Sequence, residues 1–189
     1  DTVPPSKPVL NKPANNKLRA ETTPTLSVLA ATGAKFYQYQ LSSDSDFNTI
    51  VAQSDEKAGL EWTVPDAQPY GEYFWRARSF DAATNGSTWS AARRLLITFQ
   101  KLPKYGAVTS TKRPTFEWVA VTGADNYRLI IDDDGVEPFI YYVDGLIPVT
   151  LHTLPAAIKL AVGTYYWKME ARVGADWQVT PWIPLTITP

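Results

Sequence analysis

An internal repeat constrains the fold of this chain more than any other feature of its sequence. The motif Thr-Pro-Thr-Leu at 23–26 returns as Arg-Pro-Thr-Phe at 113–116. Further along, Gly-Glu-Tyr-Phe-Trp-Arg at 71–76 matches Gly-Thr-Tyr-Tyr-Trp-Lys at 163–168. The offset is 90 residues at the first motif and 92 at the second, which implies small insertions in a loop between them. Matches that keep their order and residue class over this length indicate two copies of one unit.

We assign the first copy to residues 1–99 and the second to residues 100–189. Within each copy, apolar residues alternate with polar ones, as in the run of Tyr37, Tyr39 and Leu41. A period of two is typical of strands that bury one face and leave the other in water.

The same alternation predicts that Val149 and Leu151 face the interior of the second copy. Several short strands in about 90 residues, without helical periodicity, favour a sandwich of two sheets. The predicted fold is therefore all-β, with two tandem immunoglobulin-like antiparallel β-sandwiches.

Three motifs carry a resemblance to a known family. They are Thr-Pro-Thr-Leu or Arg-Pro-Thr-Phe-Glu-Trp in the second strand, Gly-x-Tyr-x-Trp-Arg/Lys in the sixth, and Trp89-Ser90 before the last. Together these motifs resemble fibronectin type III modules, above all those of large bacterial secreted or surface proteins. The resemblance implies two fibronectin type III sandwiches and an extracellular or cell-surface location.

The aromatic residues of the sixth strands are predicted to form the structural core. Side chains two residues apart on a strand share one face, and a tyrosine corner buries its ring while its hydroxyl bonds the backbone. We expect the core to contain Tyr73, Trp75, Trp118, Tyr165 and Trp167.

Composition excludes several classes of function. The formal net charge is −1, which leaves no basic footprint for nucleic acid. The chain has no cysteine, so disulfides and thiolate metal sites are absent. No apolar run approaches the roughly 18 residues of a membrane span, so no membrane insertion of this segment is expected.

Two acidic clusters are candidates for catalysis or metal binding. The runs 44–46 and 132–134 are rich in Asp, which favours the backbone geometry of turns. A calcium loop that begins at Asp132 would need Glu at its twelfth position, where Val143 stands. We expect both clusters to be turns, and weak surface binding of calcium at Asp132 to Asp134 stays an alternative. The prediction for the chain includes no catalytic residue, no metal site and no cofactor.

Two further motifs favour ordinary structural roles. His152 is the single histidine and has no nucleophile motif beside it, so we expect it to be a surface or partly packed residue. The triplet Asn85-Gly86-Ser87 matches a glycosylation acceptor, but Asn-Gly is also a turn signal, which we favour.

Candidate ligand-binding residues are aromatic residues off the inward face. Phe74 and Tyr166 alternate with the core tryptophans and should point outward, and Trp177 lies near the last hairpin between Asp176 and Gln178. Such rings can stack on sugars or anchor a protein partner. Alternatively, they pack on cationic stems or against a neighbouring module.

The predicted function is a non-catalytic structural or adhesive module pair, a spacer or protein-binding element of a larger surface or secreted protein. The alternative is an accessory carbohydrate-binding or spacer region of a secreted glycoside-active enzyme. The expected partners are neighbouring modules and a protein or polysaccharide ligand. The proline-rich opening at 1–8 is expected to be an inter-module linker, and Pro103 predicts an end-to-end pair with a restricted hinge.

Overall fold

The structure is a computed structural model that describes residues 2–136 and 142–189. Within these ranges the regular secondary structure consists of β-strands alone, and seventeen of them follow one another along the chain. The described part contains no helix with the length and apolarity to cross a membrane. The predicted all-β class is confirmed.

The chain divides into two compact units, of which the first ends at Ile97 and the second begins at Thr98. The predicted division lies two residues further on, after Phe99. The ring of Phe99 packs against Tyr127, with 6.2 Å between ring centroids. Its carbonyl accepts a hydrogen bond from the backbone N–H of Val119 (2.7 Å). Phe99 therefore belongs to the second unit.

The first unit has eight strands in two sheets. A three-stranded sheet has the order β1-β3-β6, and a five-stranded sheet has the order β2-β8-β7-β4-β5. The strands are β1 (Leu10–Lys12), β2 (Lys17–Arg19), β3 (Thr25–Val28), β4 (Phe36–Ser42), β5 (Ile50–Gln53), β6 (Glu61–Thr63), β7 (Gly71–Phe80) and β8 (Arg93–Ile97).

The second unit repeats this plan with nine described strands. Its small sheet has the order β14-β11-β9; its large sheet has the order β10-β17-β15-β12-β13, with β16 also paired to β15. The strands are β9 (Gln100–Leu102), β10 (Ala107–Thr109), β11 (Thr115–Trp118), β12 (Ala124–Asp132), β13 (Tyr142–Ile147), β14 (Leu151–Thr153), β15 (Gly163–Val173), β16 (Asp176–Val179) and β17 (Ile183–Ile187).

The opening strand of each unit changes sheet at a proline. In the first unit β1 pairs antiparallel with β3, whereas β2 pairs parallel with the last strand, β8. In the second unit β9 pairs antiparallel with β11, and β10 pairs parallel with β17. Pro13 and Pro103 follow β1 and β9 directly, and a proline offers no N–H to a sheet. The other strand pairs are antiparallel.

Aromatic side chains fill the space between the sheets of the first unit. Tyr73, Trp75 and Ala77 alternate along β7 and are all buried, and Trp75 is 0% exposed. Tyr39 on β4 stacks on Trp62 of the opposite sheet, with ring centroids 6.0 Å apart. A buried tryptophan removes roughly 200 Å² from water, which contributes about 5 kcal/mol at about 25 cal/mol/Å².

The second unit has an equivalent core. Trp167 is 0% exposed, and the ring of Phe116 from the small sheet meets it edge-on at 5.0 Å. Trp118 lies 5.4 Å from Tyr127, and Tyr165 is buried. The five residues predicted as structural core all lie between the two sheets of a unit.

Buried tyrosines tie loops to these cores through their hydroxyl groups. Tyr73 donates to the carbonyl of Pro69 (2.9 Å), which is the bond expected of a tyrosine corner. The hydroxyl of Tyr37 accepts the backbone N–H of Ala31 (2.9 Å). The second unit repeats this last bond 90 residues on, where Val121 donates to the Tyr127 hydroxyl (2.9 Å).

The predicted inward positions of Val149 and Leu151 are wrong, because these side chains are 53% and 54% exposed. Strand β14 begins only at Leu151, and its register places His152 opposite Phe116. The positions that face the interior are therefore displaced by one residue from those predicted, and the buried leucine of this segment is Leu154. His152 is half-buried, so it is a partly packed residue.

The proline-rich opening segment is part of the first unit, which corrects its prediction as a linker. Pro5 and Pro8 are buried. Ser6 donates its N–H to the carbonyl of Thr32 (3.0 Å), and its own carbonyl accepts the hydroxyl of Ser79 (2.7 Å). These bonds hold the segment along the sandwich.

Replacing either core tryptophan should destabilise the unit that contains it. We expect Trp75→Ala and Trp167→Ala each to lower the free energy of unfolding by about 3 to 5 kcal/mol, because each leaves a large cavity. The control is Trp177→Ala, whose ring is only half-buried and should cost about 1 kcal/mol. Urea titrations followed by circular dichroism measure these values; equal losses in all three variants would contradict the core assignment.

Candidate binding surfaces and acidic turns

The three candidate ligand-binding aromatics are all half-buried and lie on large sheets. Phe74 belongs to β7 of the first unit, whereas Tyr166 and Trp177 belong to β15 and β16 of the second. The structure therefore divides them between two surfaces, and each surface is a separate candidate.

On the first unit, arginines and aromatic rings form a stack on the outward face of β7. The guanidinium of Arg76 lies 4.0 Å from the ring centroid of Phe47 and 4.6 Å from that of Trp89. The guanidinium of Arg78 lies 4.7 Å from Trp89 and 4.8 Å from Phe80. We call these five residues the arginine–aromatic ladder. Each such contact contributes about 0.5 to 1 kcal/mol at an exposed site.

Glutamines on the neighbouring strand orient the two arginines. Nε of Arg76 donates to Oε1 of Gln40 (2.9 Å), and Nε of Arg78 donates to Oε1 of Gln38 (2.9 Å). Neither arginine has a carboxylate partner among residues 2–136 and 142–189. Burial, together with the nearby charge of Arg78, lowers the pKa of Arg76. The ladder therefore presents two unbalanced positive charges.

Phe74 lies beside this ladder and is also covered by a cation. The guanidinium of Arg94 lies 5.7 Å from its ring centroid and 3.4 Å from a carboxylate oxygen of Glu72. The structure thus places Phe74 in a packed cation–aromatic contact, one of the two outcomes that the sequence left open.

On the second unit, the outward face pairs its cations with both rings and carboxylates. Arg128 lies 4.4 Å from the ring of Trp177, and its Nη1 donates to Glu170 (2.8 Å). Nζ of Lys168 lies 4.5 Å from the ring of Trp182. Arg128 and Glu170 occupy the positions equivalent to Gln38 and Arg78. The arginine of this cross-strand pair therefore lies on β7 in the first unit and on β12 in the second.

Tyr166 extends the same face towards a turn. A Cβ atom added to Gly135 would lie 3.0 Å from the ring of Tyr166, so the ring rests on the backbone of this glycine. The glycine has a φ of +74°, a backbone conformation that favours glycine. Tyr166 is therefore a support for the turn after β12.

The acidic turn of the first unit uses its carboxylate internally. Asp44 accepts backbone N–H bonds from Asp46 (3.0 Å), Asn48 (3.0 Å) and Thr49 (2.6 Å). The hydroxyl of Ser42 adds a fourth bond at 3.2 Å. These bonds, above all the one from Asn48, lower the pKa of Asp44. Asp44 has the structural role expected of a turn residue.

The acidic turn of the second unit differs from the first. The carboxylates of Asp132, Asp133 and Asp134 each bring an oxygen within 4.8 Å of the others. Asp132 is buried, and this burial raises the pKa of its carboxyl. Hydrogen bonds from the backbone of Asp133 and Asp134 act in the opposite direction but are outweighed. The three acids form the only such group of potential metal ligands in the described ranges.

The glycosylation triplet is part of a packed turn. Nδ2 of Asn85 donates to the carboxylate of Asp81 (2.8 Å), so the atom that glycosylation would modify is already hydrogen-bonded. Asp81 also accepts the N–H groups of Ala83 (2.8 Å) and Asn85 (2.9 Å). A shallow recess of about 320 Å³ lies between this turn and the opening segment.

Sequence reasoning missed the arginine–aromatic ladder as a unit. Arg76 and Arg78 were identifiable as outward residues from the alternation of β7. The rings of Phe47 and Trp89, however, come from the loops before β5 and β8, and no local pattern predicts which cation they meet.

No protein-family model matches the chain, and no curated protein matches it. Its neighbours among solved structures include fibronectin type III modules. A fibronectin(III)-like module of Clostridium thermocellum CbhA shows 12% identity over 47% of this chain and 93% of that chain, with a TM-score of 0.35. A two-domain fibronectin type III segment of chicken tenascin shows 14% identity over 96% of this chain and 97% of that chain, with a TM-score of 0.38.

An α-L-rhamnosidase of Streptomyces avermitilis, complexed with L-rhamnose, shows 15% identity over 98% of this chain and has a TM-score of 0.39. This chain spans 25% of that enzyme. The strand order and the buried cores of the chain itself define its two β-sandwiches.

The turn at Asp44 should make the first unit sensitive to acid. A lowered pKa means that the carboxylate stabilises the folded state above about pH 4 and that this stabilisation is lost as the pH falls through the lowered value. We expect Asp44→Asn to be less stable than the parent at about pH 7, with the difference shrinking towards about pH 2. Urea titrations at several pH values test this.

The matched control is Asp46→Asn, in the same turn, because the Asp46 carboxylate accepts no hydrogen bond from any residue in the described ranges. This variant should follow the parent at every pH. A constant difference between the parent and Asp44→Asn down to low pH would contradict the role assigned to Asp44.

Proposed function

We propose that this chain is a non-catalytic pair of extracellular modules that transmits tension and sets spacing within a larger secreted or surface protein. The observation that carries the proposal is the parallel pairing of the second strand of each unit with its last strand. Residues 17–19 pair with residues 95–97 in the first unit, and residues 107–109 pair with residues 185–187 in the second.

This pairing determines how a unit responds to force on its two ends. Because β2 and β8 run in the same direction, pulling the start and end of the unit apart slides one strand along the other. The hydrogen bonds between them then share the load, whereas a hairpin pulled at its open end loses its bonds one at a time. The same reasoning applies to β10 and β17.

The packing of the outward aromatic rings supports a structural role as well. Phe74, Trp89 and Trp177 each have a guanidinium group within 5.7 Å of the ring centroid. A ring face that is covered by a cation is not free to stack on a sugar. An extracellular location is part of this proposal and follows the resemblance to fibronectin type III modules.

The arginine–aromatic ladder supports a protein partner in addition to spacing. Arg76 and Arg78 have no carboxylate partner within the part of the chain that the structure describes. A partner that presents acidic side chains would complement them, and bidentate pairing with carboxylates is typical of arginine. Neighbouring modules of the parent chain are the other expected partners.

Force spectroscopy of the whole chain tests the mechanical role. We expect Val108→Pro to lower the unfolding force of the second unit, because it removes the backbone N–H at the centre of β10. The valine side chain is exposed, so its loss should cost little stability. Leu18→Pro, at the centre of β2, should lower the unfolding force of the first unit.

The control for these variants is Ala156→Pro, which introduces proline into an exposed turn closed by the bond from Ile158 to Pro155 (2.9 Å). Proline is favoured at the second position of such a turn, so both unfolding forces should stay unchanged. Unchanged forces in Val108→Pro and Leu18→Pro would overturn the mechanical proposal.

The second candidate function is an accessory carbohydrate-binding role beside a glycoside-active domain. Its supporting observation is that Tyr166, Trp177 and Trp182 are all half-exposed on the large-sheet side of the second unit. Aromatic rings in such a position can stack on sugar rings when one face is open.

Affinity electrophoresis separates the two candidates. We expect the chain to migrate equally in gels with and without soluble β-glucan, xylan or polygalacturonate, because cations cover the rings. Retardation that is lost in Trp177→Ala but kept in Trp89→Ala would contradict this expectation and establish carbohydrate binding on the second unit. Trp89 is the matched control because it lies in the ladder of the first unit.

A further inference from the structure

Strand β12 ends at Asp132, a buried carboxylate with one oxygen, Oδ2, that has no hydrogen-bond donor among the described residues. Asp132 is 0% exposed. Its Oδ1 accepts the backbone N–H of Asp133 (2.7 Å). Its Oδ2 is buried and accepts no hydrogen bond from any residue in the ranges that the structure describes. A buried, ionised carboxylate is strongly unfavourable unless a positive charge or donors compensate it.

The surroundings of Asp132 add negative charge. One carboxylate oxygen from each of Asp132, Asp133 and Asp134 lies within 4.8 Å of the other two. Within residues 2–136 and 142–189, none of the three acids forms an ion pair with Lys or Arg. Three carboxylates at this separation repel one another, so the turn as it stands lacks a positive charge.

The first unit shows how the same position is satisfied without a charge. Ser42 lies 90 residues before Asp132, at the end of β4, and is also buried. Its hydroxyl is bonded to Asp44 Oδ2 (3.2 Å) and donates to the carbonyl of Thr49 (2.8 Å). Asp44 in turn lies 90 residues before Asp134. The second unit therefore has an acceptor where the first unit has a donor.

We propose that the carboxylates of Asp132, Asp133 and Asp134 bind a calcium ion. Calcium holds its oxygen ligands at about 2.3 to 2.6 Å, so two oxygens on one ion lie no more than about 5 Å apart. The carboxylate oxygens of the three acids lie within 4.8 Å of one another, which fits this limit. The ion supplies the positive charge that Asp132 Oδ2 lacks.

The donor set favours calcium over other metals. It consists of carboxylate oxygens alone, without the imidazole or thiolate ligands that zinc and copper prefer. Calcium accepts irregular sets of six to eight oxygens completed by carbonyls and water, whereas magnesium requires near-ideal octahedral geometry. A tight turn that offers neighbouring carboxylates suits the more tolerant ion.

Binding should also order the outward face of the second unit. The turn continues from Asp134 into Gly135, on which the ring of Tyr166 rests. An ion that holds the three carboxylates together would fix this support. The site is independent of the spacing function proposed above, since it concerns the stability of the second unit alone.

Calorimetric titration of Ca²⁺ into the whole chain, stripped with EDTA, tests the proposal. We expect a stoichiometry of about one ion per chain and a dissociation constant of about 10⁻⁴ to 10⁻³ M, as for exposed extracellular sites. The key variant is Asp132→Ser, which installs the residue that the first unit carries. It should bind no Ca²⁺ at this site. Asp133→Asn and Asp134→Asn should each weaken binding about tenfold or more.

Thermal unfolding provides a second readout. A Ca²⁺ concentration of about 100 times the dissociation constant should raise the Tm of the wild type by roughly 5 °C or more. Asp132→Ser should show no such rise and should melt above the wild type in EDTA, because its hydroxyl replaces the uncompensated carboxylate. Asp46→Asn, a turn acid of the first unit, is the matched control and should keep both the binding and the rise in Tm.

The proposal is overturned if the wild type shows neither heat of binding nor a rise in Tm up to about 10 mM Ca²⁺. It is also overturned if Asp132→Ser, Asp133→Asn and Asp134→Asn all keep the wild-type affinity, since the ion would then bind elsewhere. A response to Mg²⁺ that exceeds the response to Ca²⁺ would likewise exclude the assignment.

Discussion

The burial of one tryptophan and one tyrosine per long strand is the interaction on which each unit depends. A chain without cysteine has no disulfide to hold two small sheets together, so apolar burial must do so. Trp75 and Trp167 are both fully buried in the two cores, and the ring of Trp167 meets Phe116 of the opposite sheet. Because the spacing along a strand is strict, burying these rings turns the intervening residues outward.

The outward face of each long strand follows from this constraint. The large rings and long cations that alternate with the core residues reduce their exposure by stacking on one another. In the first unit this produces the arginine–aromatic ladder, in which the arginines bond to glutamines. In the second unit the same surface is built from ion pairs, such as Arg128 with Glu170. The same strand plan therefore yields surfaces of different charge, and recognition of a partner would differ between the units.

The two copies serve as controls for each other. Where both use the same contact, as in the hydroxyl bonds of Tyr37 and Tyr127, the contact belongs to the fold. Where they differ, the difference needs its own explanation. Gln100 stands at the position of the core residue Leu10 and satisfies its amide by donating to the carbonyl of Trp167 (3.0 Å). Asp132 stands at the position of Ser42, and its Oδ2 accepts no hydrogen bond from any described residue, which is why it points to a bound cation.

The sequence by itself determined the repeat, the all-β class and the inward face of the long strands, because these depend on residue periodicity within one strand. It also identified Phe74 and Tyr166 as outward residues. The tertiary structure decided which cation covers Phe74 or Trp177, how β14 is displaced by one residue relative to Val149 and Leu151, and that the opening prolines pack on the first unit. It alone showed that Asp132 is buried. These features depend on contacts between residues far apart in the chain, for which a local pattern carries no information.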